Sequence, residues 1–313
     1  MVSSRKCPLF SATMFVIVVT QLLAIAASPR AAAEEVKVMS FNVRYSRAGL
    51  GEAKTENNWA DSTRPRRERA VRVIREYMPD LLGVQEARHL QVVDLRKSFP
   101  EYDFYGIGRD DGKKQGEYAG IFYLKDRFER VDAGSFWLSA TPEKPSTSFY
   151  TAPGAVPRIA SWVRLRDKAA QCEMLVLNAH WDHISDDARR KSAGLMRERL
   201  QKLGDGLPAI VMGDFNTYED SPAVVELIGA TDSTSPRLID AYRKLHPKRS
   251  NDESTFNSWA GDTAGSRIDF ILCTDDFNLL AATIVRTSYD GLWSSDHYPV
   301  TATLDYSSKH GRQ

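Results

Sequence analysis

Two polar residues follow a short apolar segment in the second half of the chain, and they give the first indication of chemistry. Residues 207–212 are apolar apart from one proline and precede a glycine, which predicts a buried strand. Asp214 and Asn216 come next at a spacing of two, so both side chains point the same way on an extended chain. Because burying unpaired polar groups costs free energy, this pair predicts a binding or catalytic site.

Other predicted strands also end in residues that suit metal or phosphate chemistry. These residues are Asn42, Glu86, His180, Asp269, Asp296 and His297. A single Asp or Asn at a strand end is usually a turn former or a helix cap, and a single His is usually structural. Caps and turns do not require a mixture of Glu, His and Asp, so the set as a whole indicates an active site.

Metal-assisted hydrolysis of a phosphoester is the chemistry that uses such a mixture. Glu86 and Asp296 offer carboxylates to a hard divalent cation such as Mg²⁺, with Asn42 beside them as a neutral neighbour. The same oxygen ligands also suit Mn²⁺. Asp214, held by Asn216, is the candidate base that deprotonates the attacking water.

The transition state of this reaction gains negative charge on the phosphate oxygens, so hydrogen-bond donors must converge on them. His180, His297 and Asn216 are the candidates for this task. A catalytic His needs an acceptor that fixes its tautomer, and Asp269 is the candidate partner of His297.

Two other hydrolytic chemistries have weaker support in the sequence. His180 and His183 stand three residues apart, which leaves zinc open, although the chain has neither a Cys pair nor a His-Glu-x-x-His motif. A serine hydrolase is weaker still, because no Gly-x-Ser-x-Gly motif is present.

Strands and helices that could position these residues occur throughout the chain. Strands are predicted at about residues 36–43, 80–86, 102–107, 118–124, 132–138, 159–165, 173–178, 207–212, 268–273, 281–287 and 298–304. Helices are predicted after Pro65, around residues 90–95, over residues 187–203 and after Pro222, whereas residues 231–266 are predicted to be rich in loops. This order predicts one α/β domain at residues 34–306 with sheets inside and helices outside, followed by a flexible tail at residues 307–313.

The first 33 residues have the pattern of a secretory signal peptide. Arg5 and Lys6 precede an apolar run that is shorter than the ~20 residues of a membrane span, and small residues follow up to Ala33. We therefore predict cleavage after Ala33, a secreted or periplasmic location, and no stable membrane anchor in the mature protein.

The mature chain is close to neutral, which limits the classes of partner. Removing Arg5, Lys6 and Arg30 from the 42 basic residues leaves 39 against 41 acidic residues. Such a chain has no general field for polyanions, so any preference for phosphate must come from a local site. We expect a monomer in which Cys172 and Cys273 are buried thiols rather than a disulfide.

The order of these motifs resembles that of the endonuclease/exonuclease/phosphatase superfamily. The matching motifs are Ser-Phe-Asn42-Val-Arg, Gly-Val-Gln-Glu86, Asn-Ala-His180, Gly-Asp214-Phe-Asn216, Arg-Ile-Asp269-Phe and Ser-Asp296-His297. The match extends over about residues 36–304, nearly the whole mature chain. The resemblance implies a four-layer α/β sandwich, with two facing mixed sheets flanked by helices, and a Mg²⁺-dependent phosphoric ester hydrolase.

The resemblance also implies a role for each matching position. Glu86 would bind Mg²⁺, with Asn42 and Asp296 close by. Asp214 would activate the water, and Asn216 would bind the phosphate. Asp269 would pair with His297, and His180 and His297 would contact the phosphate or protonate the leaving group.

Three further positions are candidate substrate contacts. Tyr118 matches the place where abasic-site endonucleases carry a phosphate-contacting Tyr, and inward packing is its alternative. Arg44 stands where abasic-site endonucleases carry an Asp metal ligand, and the deoxyribonuclease arrangement is the closer match. Arg44 is therefore a candidate contact for the substrate phosphate and not part of a second metal site. Arg158 resembles the Pro-Arg of the deadenylase-like branch, and a surface ion pair is its alternative.

The loop pattern is most similar to bacterial secreted members near the nocturnin-like deadenylase branch. We rank cleavage of a phosphodiester in nucleic acid or nucleotides first, with Arg64, Arg66, Arg67 and Arg69 as a candidate basic patch. A phosphatase acting on small molecules or inositol phosphates ranks second, and a sphingomyelinase-like lipid phosphodiesterase third. A binding module without activity is weaker, because every matched catalytic position carries a competent residue.

Overall fold

The computed structural model describes residues 35–46, 57–60, 63–229 and 236–306. The predicted signal peptide at residues 1–33 and the predicted tail at residues 307–313 lie outside the described residues. Across these ranges, no helix combines the length and the apolar composition that crossing a bilayer requires.

The described residues contain twelve strands and five helices, and the eleven strands and four helices predicted from the sequence are among them in the same order. The strands are β1 (Val36–Asn42), β2 (Leu81–Arg88), β3 (Tyr102–Tyr105), β4 (Glu117–Leu124), β5 (Phe128–Trp137), β6 (Ile159–Asp167), β7 (Cys172–His180), β8 (Ala209–Asp214), β9 (Leu238–Asp240), β10 (Asp269–Thr274), β11 (Phe277–Ile284) and β12 (Val300–Tyr306). The helices are α1 (Arg66–Tyr77), α2 (His89–Ser98), α3 (Asp186–Gly204), α4 (Pro222–Ile228) and α5 (Ala241–Leu245).

The strands form two six-stranded sheets, ordered β11-β12-β1-β2-β4-β3 and β5-β6-β7-β8-β10-β9. Val38 and Val176 lie in the apolar cluster between the sheets. Their chain neighbours point the other way, because side chains alternate along a strand. Met39 therefore joins the cluster that contains α1 residues, and Leu177 joins the cluster that contains α3 residues. The order helix, sheet, sheet, helix confirms the predicted four-layer α/β sandwich.

One parallel strand pair in each sheet aligns the ends that carry the site. β1 pairs in parallel with β2, which places Asn42 opposite Gln85, and β7 pairs in parallel with β8, which places His180 opposite Asp214. Because parallel strands end at the same edge, residues far apart in sequence meet there. Both pairs lie inside their sheets rather than at an edge.

The sequence pattern locates the long helices well and misses the shortest elements. α1 begins after Pro65 and ends at Tyr77, with Met78 as its left-handed cap, and α3 begins after Ser185, whose hydroxyl accepts a hydrogen bond from the Ala188 amide. The expectation that residues 231–266 are mostly loop omits β9 and α5, which have three and five residues. Elements of that length carry too few apolar positions to show a period.

Asn178 connects the two sheets through buried hydrogen bonds. Its side-chain amide in β7 donates to the carbonyl oxygens of Val84 in β2 and Gly120 in β4, at 3.0 and 2.8 Å. Its side-chain oxygen accepts a hydrogen bond of 2.6 Å from the Gln85 side chain. A single carboxamide therefore satisfies three groups of the opposite sheet.

We expect Asn178→Ala to lower the free energy of unfolding by about 3 kcal/mol, because each buried polar group left unpaired costs roughly 1–3 kcal/mol. Urea denaturation measures this change. Asn278→Ala, at an exposed position of β11, is the matched control and should change stability by less than about 0.5 kcal/mol. Equal effects of the two substitutions would refute the role of Asn178.

Candidate active site

The aligned strand ends border one cleft of about 640 Å³. Most of the predicted site residues line it, namely Arg44, Glu86, Arg158, His180, Asp214, Asn216 and His297. Asn42, Asp269 and Asp296 are buried behind this lining and contact it through hydrogen bonds or ion pairs. The fold thus brings together ten of the eleven predicted residues.

Glu86 reaches the cleft because β2 is irregular there. The register between β2 and β4 shifts between Val84 and Ala87, and Glu86 has a left-handed backbone with φ of 61°. Its carboxylate accepts hydrogen bonds from the Asn42 side chain at 3.0 Å and the Tyr45 amide at 3.2 Å. Burial raises the pKa of Glu86, but Arg44, His297 and Asn42 outweigh burial and hold the pKa below its usual value. Glu86 is therefore ionised at neutral pH.

Asp214 is fixed from two directions at the end of β8. One carboxylate oxygen accepts a hydrogen bond of 2.8 Å from the Asn42 side chain, and the other accepts one of 2.9 Å from the Asn216 amide. Asn216 is left-handed, with φ of 50°, and its side chain donates to the Trp181 carbonyl. Gly213 is required before this pair, because a Cβ would lie 2.0 Å from the Ala179 carbonyl oxygen.

His297 lies between two carboxylates. Its Nδ1 is 2.9 Å from Asp269 Oδ2, as expected for the predicted pair, and its Nε2 is 3.8 Å from Asp214 Oδ2. Burial lowers the pKa of His297, but Asp269 and Asp214 outweigh burial and raise the pKa above its usual value. Burial and Asp269 raise the pKa of Asp214. The arrangement places an imidazolium beside a carboxylate that can accept a proton near neutral pH.

Arg158 bridges the two histidines that left zinc open. Its Nη1 donates to His180 Nε2 at 2.9 Å, and its Nη2 donates to His183 Nδ1 at 2.7 Å. Burial, and then Arg158 and Arg109, lower the pKa of His180 well below its usual value. Both nitrogens thus serve as acceptors for a guanidinium, which argues against a zinc site at this pair.

Several cleft residues were not predicted, and Glu117 is the most informative of them. Its carboxylate forms an ion pair of 2.7 Å with Arg109 and lies 3.8 Å from His180 Nδ1. Burial raises the pKa of Glu117. The signal in the sequence was a charged residue at the beginning of an apolar strand. The other unpredicted lining residues are Tyr45, Arg88, Arg109, Val156, His183, Phe256 and Ile268.

Tyr118 does not reach the cleft. It follows Glu117 in β4 and therefore faces the opposite side of the sheet. Its ring packs in the cluster beneath α1 and α2, and its hydroxyl contacts His89 Nδ1 at 3.1 Å and the Lys113 carbonyl at 3.0 Å. This position corresponds to inward packing, which was the alternative to a phosphate contact.

Two of the four arginines proposed as a basic patch for nucleic acid, Arg66 and Arg69, are buried and cannot contribute to one. Arg66 is fully buried, with its guanidinium 5.1 Å from the Trp59 ring and 5.5 Å from the Trp259 ring. It donates to the backbone oxygens of Asn57, Val43, Arg44 and Ser294. Arg69 is also buried and donates to the Trp293 carbonyl. These side chains hold loops in place.

The comparison with known proteins agrees with this geometry. The family model described as Endonuclease/Exonuclease/phosphatase family matches residues 39–297. The chain belongs to the endonuclease/exonuclease/phosphatase family. The prediction from the strand-end motifs is therefore confirmed, and the chain is a member of a family of phosphoric ester hydrolases.

Solved structures of two Bacteroides proteins are similar over most of the chain. An endonuclease/exonuclease/phosphatase from Bacteroides vulgatus is 35% identical with a TM-score of 0.75, covering 88% of this chain and 100% of that one. A mannosyl-6-phosphatase from Bacteroides thetaiotaomicron is 31% identical with a TM-score of 0.74, covering 87% and 100%. An uncharacterized protein of Acanthamoeba polyphaga mimivirus is 27% identical over 158 residues, and the match spans 58% of that protein.

The family depends on a divalent metal, and the cleft has donors that fit one. Glu86, Asp214 and His297 each offer an atom within 4.8 Å of the others. Glu86, Asp214, Asp269 and Asp296 are all buried, and repulsion from a neighbouring carboxylate adds to burial in raising the pKa of Asp214 and of Asp296. A divalent cation would offset this charge. The carboxylate oxygens of Glu86 and Asp296 are harder donors than the His297 imidazole and fit such a cation better.

Proposed function

We propose that this protein hydrolyses a phosphoester through attack by water activated at Asp214, with Mg²⁺ or Mn²⁺ as cofactor. The observation that carries the proposal is the contact of Asn42, Asp214 and His297 on the floor of the cleft, with Glu86 beside them. A proton acceptor, a cationic group and a carboxylate that can bind a metal therefore lie close together in the cleft.

Asp214 accepts the proton of the water. Its raised pKa, which burial and Asp269 cause, brings the carboxylate closer to neutral pH, where a general base is most effective. The Asn42 and Asn216 hydrogen bonds fix both oxygens, so the base is oriented before the substrate arrives. A metal bound at Glu86 would supply Lewis acidity toward a phosphate oxygen.

Charge on the phosphate is balanced by the surrounding donors. His297 is cationic, and Arg158 retains its proton at neutral pH because burial and Arg109 lower its pKa only to about 10. His180 accepts from Arg158 at Nε2, so its proton lies on Nδ1 and the ring is neutral. His180 therefore orients Arg158 by accepting its hydrogen bond, and His297 is the better leaving-group acid.

The substrate that this cleft suits best is a small phosphomonoester such as a sugar phosphate, which reverses the order proposed from the sequence. Arg88 and Arg158 line the same cleft, together with Arg109, whose charge Glu117 offsets, and guanidinium groups suit the dianionic phosphate of a monoester. Arg66 and Arg69 are buried, so they add nothing to a basic track for nucleic acid. The 31% identical mannosyl-6-phosphatase supports the same choice.

A nucleotide or single-stranded nucleic acid is the second candidate. Tyr45 lines the cleft with the Arg44 guanidinium 4.5 Å from its ring centre, and Phe256, which also lines the cleft, is 41% exposed. Aromatic faces beside arginines are the platforms on which bases stack.

A substrate panel tests the proposal with purified protein and Mg²⁺ or Mn²⁺. The panel contains hexose 6-phosphates, p-nitrophenyl phosphate, its bis-ester, inositol phosphates, nucleotides, single-stranded DNA, RNA and sphingomyelin. We expect the highest kcat/KM on a monoester and complete loss of turnover with EDTA. Preference for a diester would select the second candidate, and no metal-dependent turnover on any substrate would exclude the enzyme.

We also propose that the protein is exported and monomeric. The support for export is the basic, apolar and small-residue order of residues 1–33. Sequencing the amino terminus of protein recovered outside the cytoplasm tests the cleavage after Ala33, and light scattering of the same sample tests the monomer.

A further inference from the structure

Arg44 lies where two of the proposed metal carboxylates meet. Its Nη1 is 3.5 Å from Glu86 Oε2, and its Nε is 3.5 Å from Asp296 Oδ2. The Arg44 side chain is 37% exposed, whereas the two carboxylates are only 9% and 4% exposed. The guanidinium therefore approaches from the open cleft and joins two buried carboxylates.

The backbone of Arg44 is fixed more firmly than its side chain. Its amide donates to Asn42 Oδ1 at 2.9 Å, and its carbonyl accepts from Arg66 Nη2 and Gln91 Nε2, both at 2.9 Å. The backbone is left-handed, with φ of 49°, which is uncommon for a residue other than glycine. By contrast, the side chain is held by long ion pairs and by a contact with the Tyr45 ring. Such a side chain can move while its Cα stays in place.

The two carboxylates need a cation. Glu86 and Asp296 both contact Arg44, and each is almost completely removed from water. Buried carboxylates without a compensating charge are costly. His297 compensates part of their charge, and the Arg44 guanidinium and a divalent metal are two further cations that require the same oxygens.

We propose that Arg44 is an internal counter-ion that competes with the divalent metal for Glu86 and Asp296. The inference rests on the proposed function only in using the same metal carboxylates. A metal that binds these oxygens displaces the guanidinium, since the two cations repel each other at such short range. The displaced Arg44 still lines the cleft, where it can pair with a substrate phosphate. Metal affinity and phosphate binding are thereby linked through one side chain.

The test measures metal binding rather than turnover. Full-length protein is stripped with EDTA, and its affinity for Mn²⁺ is determined by calorimetry for wild type and Arg44→Gln. We expect Arg44→Gln to bind Mn²⁺ about tenfold more tightly, because two partly exposed ion pairs no longer compete. In the absence of metal, the variant should melt about 2–4 °C below wild type, and saturating Mn²⁺ should remove the difference.

Arg88→Gln is the matched control. Arg88 lines the same cleft and carries the same charge as Arg44. Its guanidinium carbon lies 5.4 Å from the centre of the Tyr45 ring rather than at Glu86 or Asp296. Its loss removes one positive charge from the cleft without removing the competitor. We therefore expect a change in Mn²⁺ affinity of less than about twofold.

Arg44→Lys serves as a second variant should Arg44→Gln fold poorly. One ammonium cannot reach both carboxylates as a guanidinium does, so the Mn²⁺ affinity should lie between those of wild type and Arg44→Gln. Mn²⁺ binding by the Arg44 variants that equals or falls below that of wild type overturns the proposal, as does an equal gain in Arg88→Gln. Absence of turnover on every phosphoester would refute the proposed function and leave the binding result intact.

Discussion

Asp214→Asn should reduce kcat by about 10²–10⁴-fold with little change in KM or in the fold, as expected for the loss of a general base. The asparagine side chain has nearly the same shape and keeps one oxygen for the Asn42 hydrogen bond, but its amide nitrogen accepts neither from the Asn216 amide nor the proton of the water. Steady-state kinetics on the best substrate of the panel measures the loss, and circular dichroism verifies the fold.

Asp126→Asn is the matched control, because Asp126 is exposed in the turn between β4 and β5. This variant should retain the wild-type rate. If Asp214→Asn also retained most of its kcat, another group would have to be the base, and the proposed mechanism would be wrong.

Glu86→Gln should weaken Mn²⁺ or Mg²⁺ binding by more than about 100-fold, since losing even an outer-shell partner typically costs about 10–100-fold in affinity. Glutamine keeps the length of the side chain but loses the negative charge that a hard cation prefers. The measurement is the metal dependence of kcat, together with direct calorimetric titration of the stripped protein. Activity should return only at much higher metal concentration.

Glu117→Gln provides the comparison for Glu86→Gln. Glu117 is a buried carboxylate of the same cleft, but Arg109 already neutralises it, and it is not one of the three clustered donors. We expect the metal affinity of Glu117→Gln to stay within about tenfold of the wild-type affinity. A larger loss of metal affinity in Glu117→Gln than in Glu86→Gln would place the metal elsewhere.

The central strands and their terminal residues could be predicted because two simple regularities agree there. Apolar runs mark buried strands, and the mixture of Glu, His and Asp at their ends indicates one site, so Glu86, His180 and Asp214 were expected to meet. The same reasoning could not identify Glu117 as a site residue, for a geometric reason. β4 is antiparallel to β2, so the beginning of β4 lies beside the end of β2, with Glu117 opposite Arg88. A search restricted to strand ends does not find a residue at a strand beginning.

The positions of Tyr118 and Arg66 depend on tertiary contacts that no local pattern contains. Tyr118 stands one residue from a cleft position, and the alternation of the strand turns it to the other face. The sequence predicts Arg66 in an exposed basic patch, and burial of an arginine is uncommon. Its burial is possible only because carbonyl oxygens from distant loops converge on the guanidinium.

The Arg66 guanidinium has a consequence for local unfolding. It donates to Val43 and Arg44, just after β1, and to Ser294, two residues before Asp296. Since one side chain holds both loops, neither loop can open without removing a support of the other. The two loops should therefore behave as a single cooperative unit in amide hydrogen exchange, with similar protection on both sides. Local unfolding of this unit would then displace the counter-ion Arg44 and the carboxylate Asp296 together, and refolding would restore both together.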